Sequence, residues 1–149
     1  MSEIFELAID KIQPSQLYIS KEKMSAIQQW LLSVEHDYEP IPIKSLNGNI
    51  IYTDGHTRAF VLHQLGAKKI RVYWDPDELD WEAYQICVDW CVTENIYDIS
   101  HLKNRLLQRD QYERLWHNRC REMQEQLNQR KPHNFYKSAQ TGKAYYPEI

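Results

Sequence analysis

Asp54, Gly55, His56, Thr57 and Arg58 place a carboxylate, an imidazole, a hydroxyl and a guanidinium around one of only four glycines in the chain. They follow an apolar run at 50–52 and precede the helical stripe Phe60, Val61, Leu62, Leu65. The pattern is therefore a strand, a turn and a helix start. Backbone N–H groups at a helix N-terminus lack intrahelical partners and carry partial positive charge. Gly55 permits a sharp turn and a close ligand approach. Thr57 adds a hydroxyl, and Arg58 adds a forked cation. Those parts suit an anion, above all a phosphate. A carboxylate beside an anion site has a further use, so Asp54 reads as a magnesium ligand or as a base on a hydroxyl. The same five residues also admit a structural reading. In it Asp54 caps the helix, Gly55 turns the chain and Arg58 forms an ion pair.

The elements around this turn can be read from spacing. Residues 3–9 alternate as a first strand, and Pro14 marks a connector. Ser20 is placed to cap a helix whose face is Met24, Ile27, Leu31 and Val34. Asn47-Gly48 is the strongest turn signal in the chain. It predicts an antiparallel hairpin of residues 41–46 and 49–53. Gly66 should close the next helix, and "KKIRVYW" should be a strand stopped by Pro76. From Leu79 the helical period returns, with Trp81, Tyr84, Cys87, Val88 and Cys91 on one face. Ser100 is expected to cap a short helix through Leu107. Asp110 with Glu113 suggests a capping box for a last helix, its face Tyr112, Leu115, Trp116, Cys120, Met123 and Leu127. Residues 129–149 have no period. The expected fold is α+β, a small mixed sheet with helices on one side and a helical C-terminal part. The divisions are 1–99, 100–128 and a tail 129–149.

Composition sets outer limits. The 149 residues, with five Trp and ten Tyr, suffice for one real core. No apolar run is long enough for a membrane span. The first residues lack the basic start and apolar core of a signal peptide, so a cytoplasmic protein is expected. Three cysteines make no even disulfide framework, and Cys87, Cys91 and Cys120 read as small buried thiols or, for the first two, half of a metal site. Residues 100–149 carry 10 Lys+Arg against 5 Asp+Glu, while the remainder carries 8 against 16. A basic segment interleaved with Phe135, Tyr136, Tyr145 and Tyr146 suits nucleic acid, but the acidic body is a nearer partner. The expectation is that the segment folds onto its own chain and does not bind DNA or RNA.

"DGHTRAFVLHQLGAKKIRVYW", with "PIPIKSLNGNIIYT" and "IQPSQLYISKEKMSAIQQWL" before it, resembles the ParB/sulfiredoxin superfamily over about residues 10–75. The resemblance implies a Gly-x-x-Arg turn that holds nucleotide phosphates, here Gly55, His56, Thr57 and Arg58. Sulfiredoxins carry a cysteine just after the glycine. His56 stands there, so sulfinic acid reduction is not expected. Partitioning ParB proteins carry Glu-Arg-Arg after the glycine and a helix-turn-helix behind the domain, and this chain shows neither. The free serine kinases of the superfamily carry Asp-Gly-His-x-Arg, which matches best. That match implies ATP or ADP with Mg as cofactors and a small hydroxyl compound such as free serine as acceptor. Asp54 and His56 would be the catalytic pair, with Asp54 acting through Mg. Gln16 stands near the place of a family glutamate; Glu22 and Glu39 are the carboxylates that could substitute for it, and neither is well placed along the chain. The alternative is a non-catalytic module whose interactions depend on a nucleotide or nucleic acid.

Overall fold

The computed structural model describes residues 3–33 and 38–130. Strand β1 (Ile4–Ala8) leads through a 3-10 turn (Ile9–Lys11) to β2 (Ile19–Ser20) and helix α1 (Lys21–Ser33). Then come β3 (Ile41–Leu46), β4 (Asn49–Tyr52), α2 (His56–Gln64), β5 (Lys69–Trp74) and α3 (Trp81–Thr93). A 3-10 turn (Ile99–Leu102), β6 (Leu106–Leu107), α4 (Arg109–Tyr112), a π turn (Glu113–His117) and α5 (Asn118–Arg130) complete it.

The main sheet has the order β1-β5-β3-β4. Its outer pairs are antiparallel and β3 runs parallel to β5, so the sheet is mixed, as expected. The hairpin turns where Asn47-Gly48 predicts, closing on the pair Leu46↔Asn49. Asn47 and Gly48 have φ of 51° and 83°, the left-handed pair that matches strand twist. The Ser20 hydroxyl accepts from Lys23 N at 3.2 Å and so caps α1. The backbone amides of Gly66 and Ala67 close α2 on the His63 and Leu62 carbonyls.

One face of the sheet is buried throughout its middle, and the other is also covered where β3 meets β4. Ile41, Ile43 and Tyr52 face one way with Ile70 and Val72, and all five are buried. Pro42 and Ile51 face the other way and are buried too. Lys44, on that second face, lies 4.9 Å from the Trp81 ring centroid of α3. Trp81 thus covers the sheet margin and stays largely exposed, rather than joining the buried face of Tyr84, Cys87, Val88 and Cys91. Leu65, at the C-terminal end of α2, is also exposed.

The C-terminal part departs most from the sequence reading. Ser100 caps nothing. Asp98 is the cap, accepting from Ser100 N and from its hydroxyl. The turn lasts four residues, and the chain then pairs Leu106 and Leu107 in parallel with Ile19 and Ser20. A long-range strand pairing thus replaces the helix expected through Leu107. The Asp110–Glu113 box does not form either. The helix starts at Arg109, and Glu113 pairs with His117 and Arg121. Tyr112, Trp116, Cys120, Met123 and Leu127 are buried as predicted, but Leu115 is exposed. Steps of four residues overshoot a 3.6-residue turn, and the wider π turn takes up that overshoot between Tyr112 and Cys120.

One hydrophobic cluster runs from Ile9 and Ile12 through the sheet to Trp116 and Leu127. Cys87, Cys91 and Cys120 are free and buried in it. Among the described residues no group of three His, Cys, Asp or Glu is arranged to hold a metal. No described helix is long and apolar enough to cross a membrane. Among the described residues, Arg105 and Arg109 of the C-terminal third meet acidic partners in the first 99 residues, Arg105 with Glu94 at 2.5 Å and Arg109 with Glu22 at 2.8 Å. Val34 and residues 131–149, which include most of the expected tail, lie outside the described residues.

Candidate functional site

The corner between β4 and α2 is fixed from three directions. Thr53 donates its backbone N–H to the Pro42 carbonyl and its hydroxyl to Asp75 Oδ2 at 2.8 Å. Its own carbonyl accepts from the Tyr84 hydroxyl at 3.0 Å. Both Thr53 and Asp75 are buried, so these bonds satisfy groups that would otherwise be costly. From the other side, residues 13–15 lie along the free edge of β4. Gln13 exchanges backbone bonds with Ile50 and Tyr52. The Ser15 hydroxyl donates to the Tyr52 carbonyl at 2.8 Å, and Ser15 N donates to His56 Nε2 at 2.9 Å.

That last bond defines His56. Nε2 accepts, so Nδ1 carries the proton and the ring is neutral. The ring is fully buried, with the Tyr52 ring 5.1 Å away, and burial pushes its pKa down from 6.5 to about 3. Thr57 is equally buried. Among the described residues the Thr57 Oγ1, His56 Nδ1 and Arg58 Nε atoms have no hydrogen-bond partner.

Asp54 and Arg58 are the two side chains of the motif that reach a cleft. The cleft has a volume of about 410 Å³ and is lined by Ile27, Trp30, Leu31, Glu39, Asp54 and Arg58. Its apolar wall is the later part of α1. Its polar wall is the start of α2 with the segment entering β3. Asp54 Oδ1 accepts from Gly55 N at 2.8 Å, which holds that carboxylate at the head of α2. Gly55 has φ of 78°, and a Cβ there would lie 2.9 Å from Arg58 Nη2 and 3.1 Å from Ile41 Cγ2. The Arg58 fork thus rests against bare backbone. Gly55→Ala is expected to lower stability by about 1–2 kcal/mol through the left-handed conformation alone. It should also displace the guanidinium. Thermal unfolding of the variant tests the first effect.

Of the three acidic or amide positions along the chain, the structure selects one. Gln16 is fully buried, donating to the Tyr18 carbonyl and the Tyr112 hydroxyl, and does not line the cleft. Glu22 sits near the other end of α1 in a two-bond pair with Arg109. Glu39 lines the cleft beside Asp54 and Arg58. The sequence held a signal for this. In an antiparallel hairpin the residues entering the first strand neighbour those leaving the second. With Ile43 opposite Tyr52, Glu39 falls beside the Asp54–Arg58 turn.

No family model matches the chain, and no curated protein matches it. Solved structures do. Protein Atu1540 from Agrobacterium tumefaciens aligns over 67% of this chain and 61% of its own, with 13% identity and a TM-score of 0.48. SbnI with a C-terminal truncation, from Staphylococcus aureus, aligns over 50% and 31%, with 20% identity and a TM-score of 0.44. A Pnob8-like ParB-N domain aligns over 64% and 38%, with 16% identity and a TM-score of 0.43. The chain thus spans less than two thirds of each of these structures. These are partial likenesses, and no assignment rests on them.

Proposed function

We propose that this chain is a nucleotide-binding domain of the ParB/sulfiredoxin kind. Its cleft would hold ATP or ADP and pass a phosphoryl group to a small hydroxyl compound. The observation that carries the reading is the cleft itself. It joins an apolar wall of Ile27, Trp30 and Leu31 to a polar wall of Asp54, Arg58 and Glu39. A base and a phosphate chain need those two surfaces side by side.

In this reading Arg58 forks onto phosphate oxygens beside the N-terminus of α2. Its orphaned Nε is a donor that an anion would satisfy. His56 works through position. Neutral and bonded to Ser15, it locks the turn that aims Asp54 and Arg58. A carboxylate beside the phosphate site fits Mg²⁺, which takes as few as one protein carboxylate and fills its shell with water and phosphate oxygens. Asp54, held at the head of α2, would hold it, and when bound it would neutralise charge on the phosphates. Positioning and charge neutralisation supply most of the rate in phosphoryl transfer.

A second reading keeps the nucleotide and drops the chemistry. It is favoured by Gln16, which fills the place of a family glutamate with a buried amide. Both readings require binding. ATP or ADP with Mg²⁺, at 100 times its dissociation constant, is expected to stabilise the protein by about 2.7 kcal/mol. Thermal unfolding with and without each nucleotide measures this. No shift and no calorimetric heat at millimolar nucleotide would remove both readings. Release of product phosphate in the presence of a hydroxyl acceptor then separates enzyme from module.

A further inference from the structure

We propose that Glu39 is the residue that takes the proton from the acceptor hydroxyl, and that Arg71 is its positioning residue. This inference rests on the phosphotransfer reading of the cleft.

Glu39 is the second carboxylate of the cleft, and its surroundings differ from those of Asp54. Asp54 has one oxygen tied to Gly55 N at the head of α2, where backbone dipoles favour a fixed negative charge. A carboxylate so held is suited to orienting a cation. Glu39 is exposed to the cleft, yet its backbone is clamped on both sides. On one side Tyr38 is bound to β5 in three ways. The Tyr38 hydroxyl accepts from Arg71 N at 2.9 Å, its carbonyl accepts from Arg71 Nη2, and the guanidinium lies 4.3 Å from its ring centroid. On the other side Pro40 restricts Glu39 to extended conformations and leads into Ile41, which is packed against Gly55. A flexible carboxylate is thereby carried on a fixed stem, within the cleft that holds Arg58.

The step balances as follows. The acceptor oxygen attacks the terminal phosphorus of ATP and forms a new O–P bond. The bridging O–P bond breaks, and ADP leaves with its electron pair. The hydroxyl proton passes to the Glu39 carboxylate and from there to solvent.

The test uses the full chain with ATP and Mg²⁺ and four acceptors, namely free serine, threonine, glycerol and ethanolamine. ADP release gives turnover, and calorimetry gives nucleotide affinity. Glu39→Gln is expected to lower kcat by at least about 100-fold, the usual contribution of a general base, while the ATP Kd changes less than about twofold. Glu39→Asp should recover part of the rate. Arg71→Ala should follow Glu39→Gln in kcat and leave Kd in place. Arg71→Lys, which keeps a cation over the Tyr38 ring, should retain most of the activity and guards against misfolding of the alanine variant. Full turnover by Glu39→Gln overturns the proposal. So does a wild-type chain that binds ATP but turns over none of the four acceptors. Failure to bind ATP at all removes the underlying reading instead.

Discussion

Between pH 6.5 and about 3 the protein is expected to lose about 1.4 kcal/mol of stability per pH unit through His56 alone. The folded ring is neutral because it is fully buried and Nε2 is already bonded to Ser15 N. The unfolded ring is free to take a proton near its ordinary pKa of 6.5. Below that pH the unfolded state binds a proton that the folded state refuses. Stability is therefore full above pH 6.5 and falls as pH drops toward the depressed folded value. Over the whole window the loss is on the order of 4–5 kcal/mol, a large part of what a domain this size possesses. His56→Gln keeps an acceptor for Ser15 N and titrates nothing. Its stability should fall more gently over pH 6.5–5, before most carboxylates titrate. Denaturant unfolding at half-unit steps measures both slopes. Parallel curves would show that His56 is not held neutral.

Arg58→Ala is expected to weaken ATP or ADP binding by roughly 1.5–3 kcal/mol, or about 10–150-fold in Kd. The warrant is that Arg58 lines the cleft while its Nε finds no acceptor among the described residues. Arg58→Lys keeps the charge without the fork and should fall between the two. Calorimetry and thermal unfolding read the two roles separately. A phosphate contact predicts lost affinity with little change in the unliganded melting point. A structural ion pair predicts the reverse. Asp54→Asn should retain nucleotide and lose turnover.

The β-hairpin and the turn into α2 were legible because local chemistry decides them. Asn47-Gly48 has the two left-handed residues the turn demands, and the helix starts at the residue after Gly55. The face of the last helix was legible because Trp116, Cys120, Met123 and Leu127 repeat with helical spacing. Leu106 and Leu107 were read as helix because nothing near them announces a partner 87 residues earlier. Strand pairing of that kind is decided by tertiary packing, which overrides weak local preference. The inventory of the turn was likewise complete in sequence, but its division was not. Consecutive residues on a helix start point in different directions. His56 and Thr57 therefore enter the core while Asp54 and Arg58 reach the cleft, and only packing shows which pair does which. Glu39 was passed over because it stands 15 residues from Asp54 along the chain, a gap that the hairpin closes.

The pairing of Ile19 and Ser20 with Leu106 and Leu107 also bears on how the chain comes to be folded. Strand β1 must wait for β5, and β2 must wait for β6, so much of the sheet depends on closing long loops first. Loop closure lowers the folding rate when contacts are distant in sequence. A chain growing from its N-terminus can make the hairpin at 41–52 early. It cannot pair β2 with β6 until more than 100 residues exist. Until then Ile19 and Ser20, both buried in the finished fold, lack their final cover. That interval, rather than the finished molecule, is when this protein most exposes its interior to other chains.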